Sequence, residues 1–238
     1  RLILMSNFVI YSNTSAQILY VKGDIPVEEF SVKNATNEVI DVPLLGRRKD
    51  ETLFDATNLE LWSPDNPVIY QATINNSEKI RFGFTSLKAE TNSMLKLNDV
   101  PFYARGYIRG IIAHDHPNMT GKTPYDAAVK NICQAKKYGF NLVRFHSTIP
   151  SEDFVRAAEE YGILIHMEIG FTYKYRADGV KEPLKLDDTL WKETILRYRN
   201  SPAVAIFCIG NEMHNSGKQP EALRLYNLGK ELAPGKLI

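Results

Sequence analysis

The sequence predicts a multidomain protein of β plus α/β class: a β-sandwich over residues 1–90, followed over residues 91–238 by the first half of a TIM (β/α)₈ barrel. Three observations predict this fold. Short apolar runs broken by turn residues fill the first part, whereas strand and amphipathic helix patterns alternate in the second. In addition, polar or ionisable side chains follow every predicted strand of the second part.

The first part has the rhythm of short strands packed into a sandwich. Apolar runs at 8–11, 18–21 and 68–70 lie close together along the chain, and Asn34, Asn37, Gly46 and the segment 64–67 supply turn residues between them. No helical pattern of credible length interrupts these runs. We therefore expect an all-β domain here.

The rhythm changes near residues 91–93, where a strand begins to alternate with a helix. The pattern predicts strands at 102–107, 140–145, 163–168 and 203–209, and helices at 125–138, 152–161, 187–199 and 221–232. Ser151 is expected to cap the second of these helices, and Gly139 to end the first. Four such units make half of an eightfold barrel, with open strand edges that can pair with another chain.

Composition and charge exclude several classes of protein. The chain has 29 Lys and Arg against 28 Asp and Glu, with no long run of one sign, so we expect no nucleic-acid partner. No apolar stretch approaches the length of a membrane span, so we expect no membrane partner. Cys133 and Cys208 lie in apolar stretches, where buried, reduced thiols are expected. The sequence determines neither the compartment nor the oligomeric state, and a homo-oligomer is one of the open alternatives.

The ends of the predicted parallel strands carry the chemistry. Catalytic groups of such barrels lie at the carboxyl ends of the strands, because the loops there build the active-site face. The residues at these ends are Arg109, His114 and His116 after the first strand, Arg144 and His146 after the second, Glu168 after the third, and Asn211 and Glu212 after the fourth. Such groups are costly to bury unpaired, so packing alone does not explain them.

Several segments, in this order and spacing, resemble glycoside hydrolase family 2, which includes β-galactosidases, β-glucuronidases and β-mannosidases. They are Leu-Trp-Ser-Pro-Asp-Asn-Pro at 61–67, Arg-Phe-Gly-Phe at 81–84, Leu-Asn-Asp-Val-Pro-Phe at 97–102, Tyr-Gly-Phe-Asn-Leu-Val-Arg at 138–144, Glu-Tyr-Gly-Ile-Leu at 160–164, Arg-Asn-Ser-Pro-Ala-Val at 199–204 and Ile-Gly-Asn-Glu at 209–212. The resemblance covers nearly the whole chain. It implies that the sandwich is immunoglobulin-like.

The resemblance also implies a retaining exo-β-glycosidase, a hydrolase of carbohydrate metabolism that acts on a β-glycoside. Glu212 would be the catalytic acid/base, and Asn211 would hydrogen-bond the sugar 2-hydroxyl. The family's nucleophile is a glutamate after the seventh strand, so these 238 residues are expected to lack it and to be inactive alone, whereas the full-length parent should be active. No cofactor is implied.

Other interpretations stay open at several of these positions. Arg144 is a candidate sugar contact or an ion-pair partner of Glu168 or Glu212. His146 is a candidate sugar contact, although the family commonly has its histidine one position later, at Ser147 here. His114 and His116 resemble a family motif in an uncertain register, and the alternative for them is a metal site, which nothing else in the sequence completes. No metal is therefore expected.

Two other functions remain alternatives. One is a noncatalytic carbohydrate-binding or scaffold protein on the same fold, against which the intact Asn211–Glu212 pair argues. The other is a retaining hydrolase of another family with the same barrel, against which the preceding sandwich argues. The sugar and its linkage are not predicted.

Overall fold

In the computed structural model of the protein, the described residues are 6–91, 94–109, 123–169, 173–175, 181–183, 188–211 and 219–238. Strands dominate the first part of the chain and alternate with helices in the second. The strands of the first part are β1 (Phe8–Asn13), β2 (Ile18–Gly23), β3 (Phe30–Lys33), β4 (Val39–Ile40), β5 (Leu44–Arg47), β6 (Glu51–Asp55), β7 (Tyr70–Ile74) and β8 (Glu78–Phe82).

These eight strands form two antiparallel sheets, in the orders β1-β2-β6-β5 and β4-β3-β7-β8. Side chains alternate between buried and half-buried along β7, as expected for strands that turn one face to a core. The buried faces of both sheets contribute to one apolar cluster, which includes Leu19 and Phe54 from the first sheet and Val32 and Ile74 from the second. The all-β character predicted for the first part is therefore confirmed.

A small antiparallel sheet follows, made of β9 (Leu87–Ala89), β10 (Leu95–Leu97) and β11 (Val100–Phe102). Asn98 and Asp99 form the turn between β10 and β11 with φ of 52° and 66°, the left-handed backbone that Asn and Asp tolerate well. The predicted strand at 102–107 is wrong in its bounds, because Phe102 belongs to this hairpin. The first parallel strand begins at Gly106.

The second part has a parallel sheet with helices between its strands. Its order is β12-β13-β14-β17 among the described residues, and every neighbouring pair is parallel. The elements are β12 (Gly106–Arg109), α1 (Pro124–Lys137), β13 (Leu142–Phe145), α2 (Glu152–Tyr161), β14 (Leu164–Glu168), the short pair β15 (Tyr173–Tyr175) and β16 (Lys181–Pro183), α3 (Asp188–Tyr198), β17 (Val204–Cys208) and α4 (Gln219–Leu232). The alternation predicted from the sequence is confirmed, whereas the β15–β16 hairpin was not predicted.

Local sequence explains the ends of α1 and α2. The Thr123 hydroxyl accepts the backbone N–H of Asp126, and Ser151 accepts that of Phe154, as predicted for Ser151. Gly139 and Gly162 follow the two helices with φ of 82° and 74°, a backbone that glycine adopts without the steric cost of a Cβ atom. Each strand–helix junction is thus fixed by short-range interactions.

The two parts of the chain meet in a close contact. Trp62 is fully buried, belongs to the apolar core of the α/β part, and donates its indole N–H to the Glu159 carbonyl at 2.9 Å. Asn200 clamps β1 by accepting the N–H of Ile10 at 2.8 Å and donating to the carbonyl of Phe8 at 2.9 Å. In the described part of the chain, no helix is long and apolar enough to span a membrane.

Candidate active site

The four parallel strands present one face that is apolar at its start and polar at its end. Side chains alternate across a strand, and Phe145 points towards α2, where its ring packs edge-on against Phe154. Arg144 therefore points to the opposite face. On the neighbouring strands, His166, Glu168 and Cys208 share that face, because Arg144 pairs with His166 and Glu168 pairs with Cys208.

Glu168 is the centre of this polar group. It is fully buried, and its Oε2 accepts two hydrogen bonds from Arg144, from Nε at 3.1 Å and from Nη2 at 2.6 Å. Its Oε1 accepts the backbone N–H of Ser147 at 2.8 Å and the Ser147 hydroxyl at 3.1 Å. All four donors come from the end of the adjacent strand β13 and the turn after it.

These contacts determine the charge of Glu168. Burial raises the pKa of the carboxyl group, but the hydrogen bonds from Arg144 and Ser147 and the positive charge of Arg144 act against burial and outweigh it. The pKa therefore lies below its ordinary value of 4.5, and Glu168 is ionised at neutral pH. The predicted ion pair of Arg144 with Glu168 is present at 2.6 Å.

Asn211 joins the same group from the end of β17. Its side-chain oxygen accepts a hydrogen bond from Arg144 Nη2 at 3.1 Å, so the ends of β13, β14 and β17 are connected through one guanidinium group. The structure thus brings together two of the predicted site residues, Arg144 and Asn211, around a carboxylate from the strand between them.

Two further strand-end residues are described, His146 and Arg109. His146 is half-buried in the turn after β13, and its backbone N–H donates to the carbonyl of Arg109 at 2.8 Å. The Arg109 guanidinium lies over the rings of Phe154 and Phe145, 5.0 and 5.8 Å from their centroids, in cation–π contacts. Arg109 therefore packs on the helix side of the sheet, away from the face that carries Glu168.

Several predicted positions lie outside the described residues. They are Glu212, which follows Asn211 directly, and His114 and His116 in the segment between β12 and α1. Their candidate roles therefore stay predictions.

His166, Glu168 and Cys208 also form a group whose donor atoms lie within 4.8 Å of one another, a spacing that a metal ion could bridge. The surrounding chemistry disfavours a cation here. Both oxygens of Glu168 already accept hydrogen bonds, the Arg144 charge lies beside them, and burial raises the pKa of the Cys208 thiol, which disfavours the thiolate that metals bind.

Ser147 is the site residue that the sequence did not reveal. Its φ of 52° turns both its N–H and its hydroxyl towards Glu168. The one sequence signal for this residue is that position 147 is a serine, whereas glycoside hydrolase family 2 commonly has histidine there. The sequence predicts Glu168 at a strand end, and the structure adds that it lies at the centre of the polar group.

Comparisons with known proteins give relatives over most of the chain. A β-galactosidase from Vibrio vulnificus (strain CMCP6) is 24% identical over 244 aligned residues, which include 93% of this chain and 22% of the relative. The chain thus spans about a fifth of the length of the curated relatives that it matches. No protein-family model matches it.

Solved structures share the fold. A glycosyl hydrolase family 2 member from Bacteroides cellulosilyticus has a TM-score of 0.73 at 21% identity, covering 97% of this chain and 34% of that one. β-Glucuronidase 3 from Bacteroides uniformis has a TM-score of 0.69 at 20% identity, covering 96% of this chain and 31% of that one. The family resemblance predicted from the sequence is confirmed, and so is the combination of a β part with an α/β part.

Proposed function

Because the chain is related in sequence and in fold to glycoside hydrolase family 2, we propose that it carries the acid/base half of a retaining β-glycosidase active site. The observation that carries the proposal is the connected group of Arg144, Glu168 and Asn211 at the carboxyl ends of three parallel strands. Active sites of parallel β/α barrels are built at this end of the strands. The proposed substrate is a β-linked carbohydrate.

The two apolar cores of the chain support the proposed division into two domains. Residues 1–90 would be the immunoglobulin-like sandwich, and residues 91–238 the first half of a (β/α)₈ barrel. One buried cluster is shared by the two antiparallel sheets, and the other is built around the parallel sheet and its helices, with Trp62 inserted from the first part. Leu237 pairs in parallel with Ile206 along the edge of β17 that faces away from β14, which supports a sheet that continues beyond four strands.

In the proposed mechanism Glu212 is the acid/base. In a retaining hydrolase, one carboxyl group protonates the leaving glycosidic oxygen while a second carboxylate attacks the anomeric carbon and forms a glycosyl ester. The first carboxylate then takes a proton from the water that releases the sugar. Asn211 would bind the sugar 2-hydroxyl, and Arg144 and His146 would line the same pocket, with His114 and His116 contributing from the loop after the first strand.

The second carboxylate is expected after the seventh strand of the barrel, whereas the described residues form four strand–helix units. The two carboxyl groups of a retaining enzyme must lie about 5 to 5.5 Å apart. We therefore expect the 238 residues alone to be inactive, and the longer polypeptide that supplies the remaining strands to be active.

The test is hydrolysis of a panel of nitrophenyl β-glycosides by the longer polypeptide, its Glu212→Gln variant and a Glu193→Gln control. Glu193 is an exposed glutamate of α3, so its replacement should leave the rate unchanged. Glu212→Gln should lower turnover of the nitrophenyl glycosides, because hydrolysis of the glycosyl ester loses its base, and added azide should restore turnover with formation of a β-glycosyl azide.

An unaffected Glu212→Gln variant would contradict the assignment of the acid/base. Inactivity of the wild-type polypeptide across the panel, together with retained sugar binding, would instead support a noncatalytic carbohydrate-binding protein. The sugar that is turned over fastest would identify the specificity.

A further inference from the structure

The two oxygens of Glu168 serve two different segments. Oε2 holds the guanidinium group of Arg144 through two hydrogen bonds, and Oε1 holds the turn after β13 through the N–H and hydroxyl of Ser147. Glu168 itself is fully buried. The side chain of Arg144 is consequently fixed at both its Nε and its Nη2 end, which leaves the guanidinium plane little freedom to rotate.

Arg144 Nη2 has a second acceptor, the side-chain oxygen of Asn211, at 3.1 Å. A carboxamide has one oxygen and one NH₂ group, so the end that faces Arg144 decides which end faces away. A flipped Asn211 would direct its NH₂ group against the NH₂ group of the arginine, two donors in contact. The Asn211 amide is therefore held with its oxygen on Arg144 and its NH₂ group directed away from Arg144.

We propose that Glu168 is a positioning residue: by fixing Arg144 it orients the Asn211 amide so that its NH₂ group donates to the oxygen of the sugar 2-hydroxyl. This inference rests on the proposed function, and it deepens it by assigning a role to a residue that would not touch the substrate. Glu168 contacts the guanidinium group of Arg144, and this group contacts the side-chain amide of Asn211 at the end of β17.

A merely structural role for Glu168 predicts a different result. If Glu168 only stabilises the strand ends, its loss lowers stability and affects all substrates equally. If it orients Asn211, its loss weakens the recognition of one hydroxyl group. The ratio of kcat/KM for a glycoside to that for the matching 2-deoxyglycoside separates these roles, because a general loss of folded enzyme cancels in the ratio.

The experiment measures this ratio in the longer polypeptide for the wild type, Glu168→Met, Glu168→Gln, Asn211→Ala and the double variant Glu168→Met/Asn211→Ala. Methionine keeps the length of the side chain and removes the carboxylate acceptors, whereas glutamine keeps one acceptor oxygen for Arg144. We expect Asn211→Ala and Glu168→Met each to lower the ratio about tenfold or more, with Glu168→Gln in between. The double variant should lower it no further than Asn211→Ala.

The matched control is Glu159→Met. Glu159 is also a buried glutamate with an arginine partner, Arg81, but it lies on α2 at the contact with the sandwich part. Its replacement should lower stability and leave the ratio at the wild-type value.

If Glu168→Met does not fold, Glu168→Gln and Ser147→Ala provide the test. Ser147→Ala removes one donor to Oε1 and leaves the carboxylate in place, so it should lower the ratio by a smaller factor, about threefold.

Two negative outcomes are distinguishable. If the wild type hydrolyses the glycoside and prefers it to the 2-deoxy compound, but the Glu168 variants keep the same preference, the positioning role is wrong and the hydrolase proposal stands. If the wild type hydrolyses no glycoside, the proposed function fails, and the role of Glu168 fails with it.

Discussion

Two buried glutamates, Glu168 at the strand ends and Glu159 at the contact between the two parts of the chain, are opposite in their charge behaviour. Glu168 is 0% exposed and Glu159 is 7% exposed, and burial is the largest influence on both, raising the pKa in each case. Yet the pKa of Glu168 ends below its ordinary value, and that of Glu159 ends above it.

The two carboxyl groups differ in the number and length of their hydrogen bonds. Glu168 accepts four, between 2.6 and 3.1 Å. Glu159 accepts two from Arg81, both at 3.4 Å, and Arg81 is shared with Glu160. The Ser201 side chain also lowers the pKa of Glu159, but burial outweighs both influences. Burial alone therefore does not determine the charge of a carboxyl group, since short hydrogen bonds from a fixed cation and a backbone N–H can outweigh it. The surroundings of Glu168 favour the ionised carboxylate, whereas those of Glu159 disfavour it.

The largest effect is expected from replacing each glutamate with methionine. Glu168→Met removes the acceptor of Arg144 Nε and of the Ser147 N–H and hydroxyl, and leaves Arg144 Nη2 only its bond to Asn211. Removing one partner of a buried ion pair costs about 3 to 5 kcal/mol, and Arg144 is partly exposed, so we expect a loss at the lower end, about 3 kcal/mol. Glu159→Met removes two long hydrogen bonds from an arginine that is 44% exposed and can be solvated instead, with an expected loss of about 1 kcal/mol.

Urea unfolding of both variants measures this difference through the midpoint at constant slope. Equal losses would mean that the hydrogen bonds counted above do not govern the energetics of the two sites.

The contact between the two parts is specified by shape more than by charge, and Gly162 tests this. A Cβ atom there would lie 2.2 Å from the Pro64 carbonyl oxygen, and φ is 74°, so Gly162→Ala should destabilise the protein by about 3 kcal/mol. Gly139, with φ of 82°, has no atom within 4 Å of the corresponding position. Gly139→Ala should therefore cost only the backbone strain, about 1 kcal/mol.

Thermal unfolding of the two alanine variants gives the comparison directly. If Gly139→Ala were as destabilising as Gly162→Ala, backbone strain and not the approach of Pro64 would account for both.

A smaller effect is expected at Trp62, which crosses from the sandwich part into the core of the α/β part. Trp62→Phe keeps most of the buried ring and removes the indole N–H, leaving the Glu159 carbonyl without this donor. We expect a loss of about 2 kcal/mol, from the unpaired carbonyl and the reduced ring. The two parts of the chain should still unfold in one transition by circular dichroism and tryptophan fluorescence, and two separate transitions would contradict a tightly coupled contact.

Much of the fold could be predicted because it depends on interactions between residues that are close in sequence. The alternation of strands and helices after residue 94, the cap at Ser151 and the helix end at Gly139 all depend on side chains within a few residues of one another. The predicted bounds of the first parallel strand were wrong because Phe102 pairs with Leu95 in an antiparallel hairpin. The Asn98–Asp99 turn of this hairpin is also compatible with the start of a parallel strand. Apolar periodicity alone does not separate these two pairings.

The site was predictable in part for a related reason. Arg144 and Asn211 follow apolar strands, and parallel strands bring their ends together, so their proximity could be expected. The role of Ser147 could not, because it depends on a left-handed φ at one turn residue that is not glycine. The number of hydrogen bonds that converge on Glu168 is likewise a property of three strand ends and not of any one segment.

The smallest and sharpest effect should appear in the pH dependence of stability. Glu159 binds its proton more tightly in the folded protein than in the unfolded chain, so its contribution is complete below about pH 4.5 and is lost as the pH rises through its raised pKa. Arg81, Glu160 and Lys236 are the charged groups that act on it. Glu168 has the opposite sign: its contribution is complete above about pH 4.5 and is lost as the pH falls through its lowered pKa.

The two Glu→Gln variants isolate these contributions, because each removes one titrating group and leaves the rest of the protein to titrate as before. As the pH falls from about 7 to about 4, the stability difference between the wild type and Glu159→Gln should grow, whereas that between the wild type and Glu168→Gln should shrink at the acid end. Urea midpoints at several pH values measure both differences. If the two stability differences changed with pH in the same way, the two carboxyl groups would titrate alike. Glu168 and Glu159 would then differ in their hydrogen-bond geometry but not in their charge.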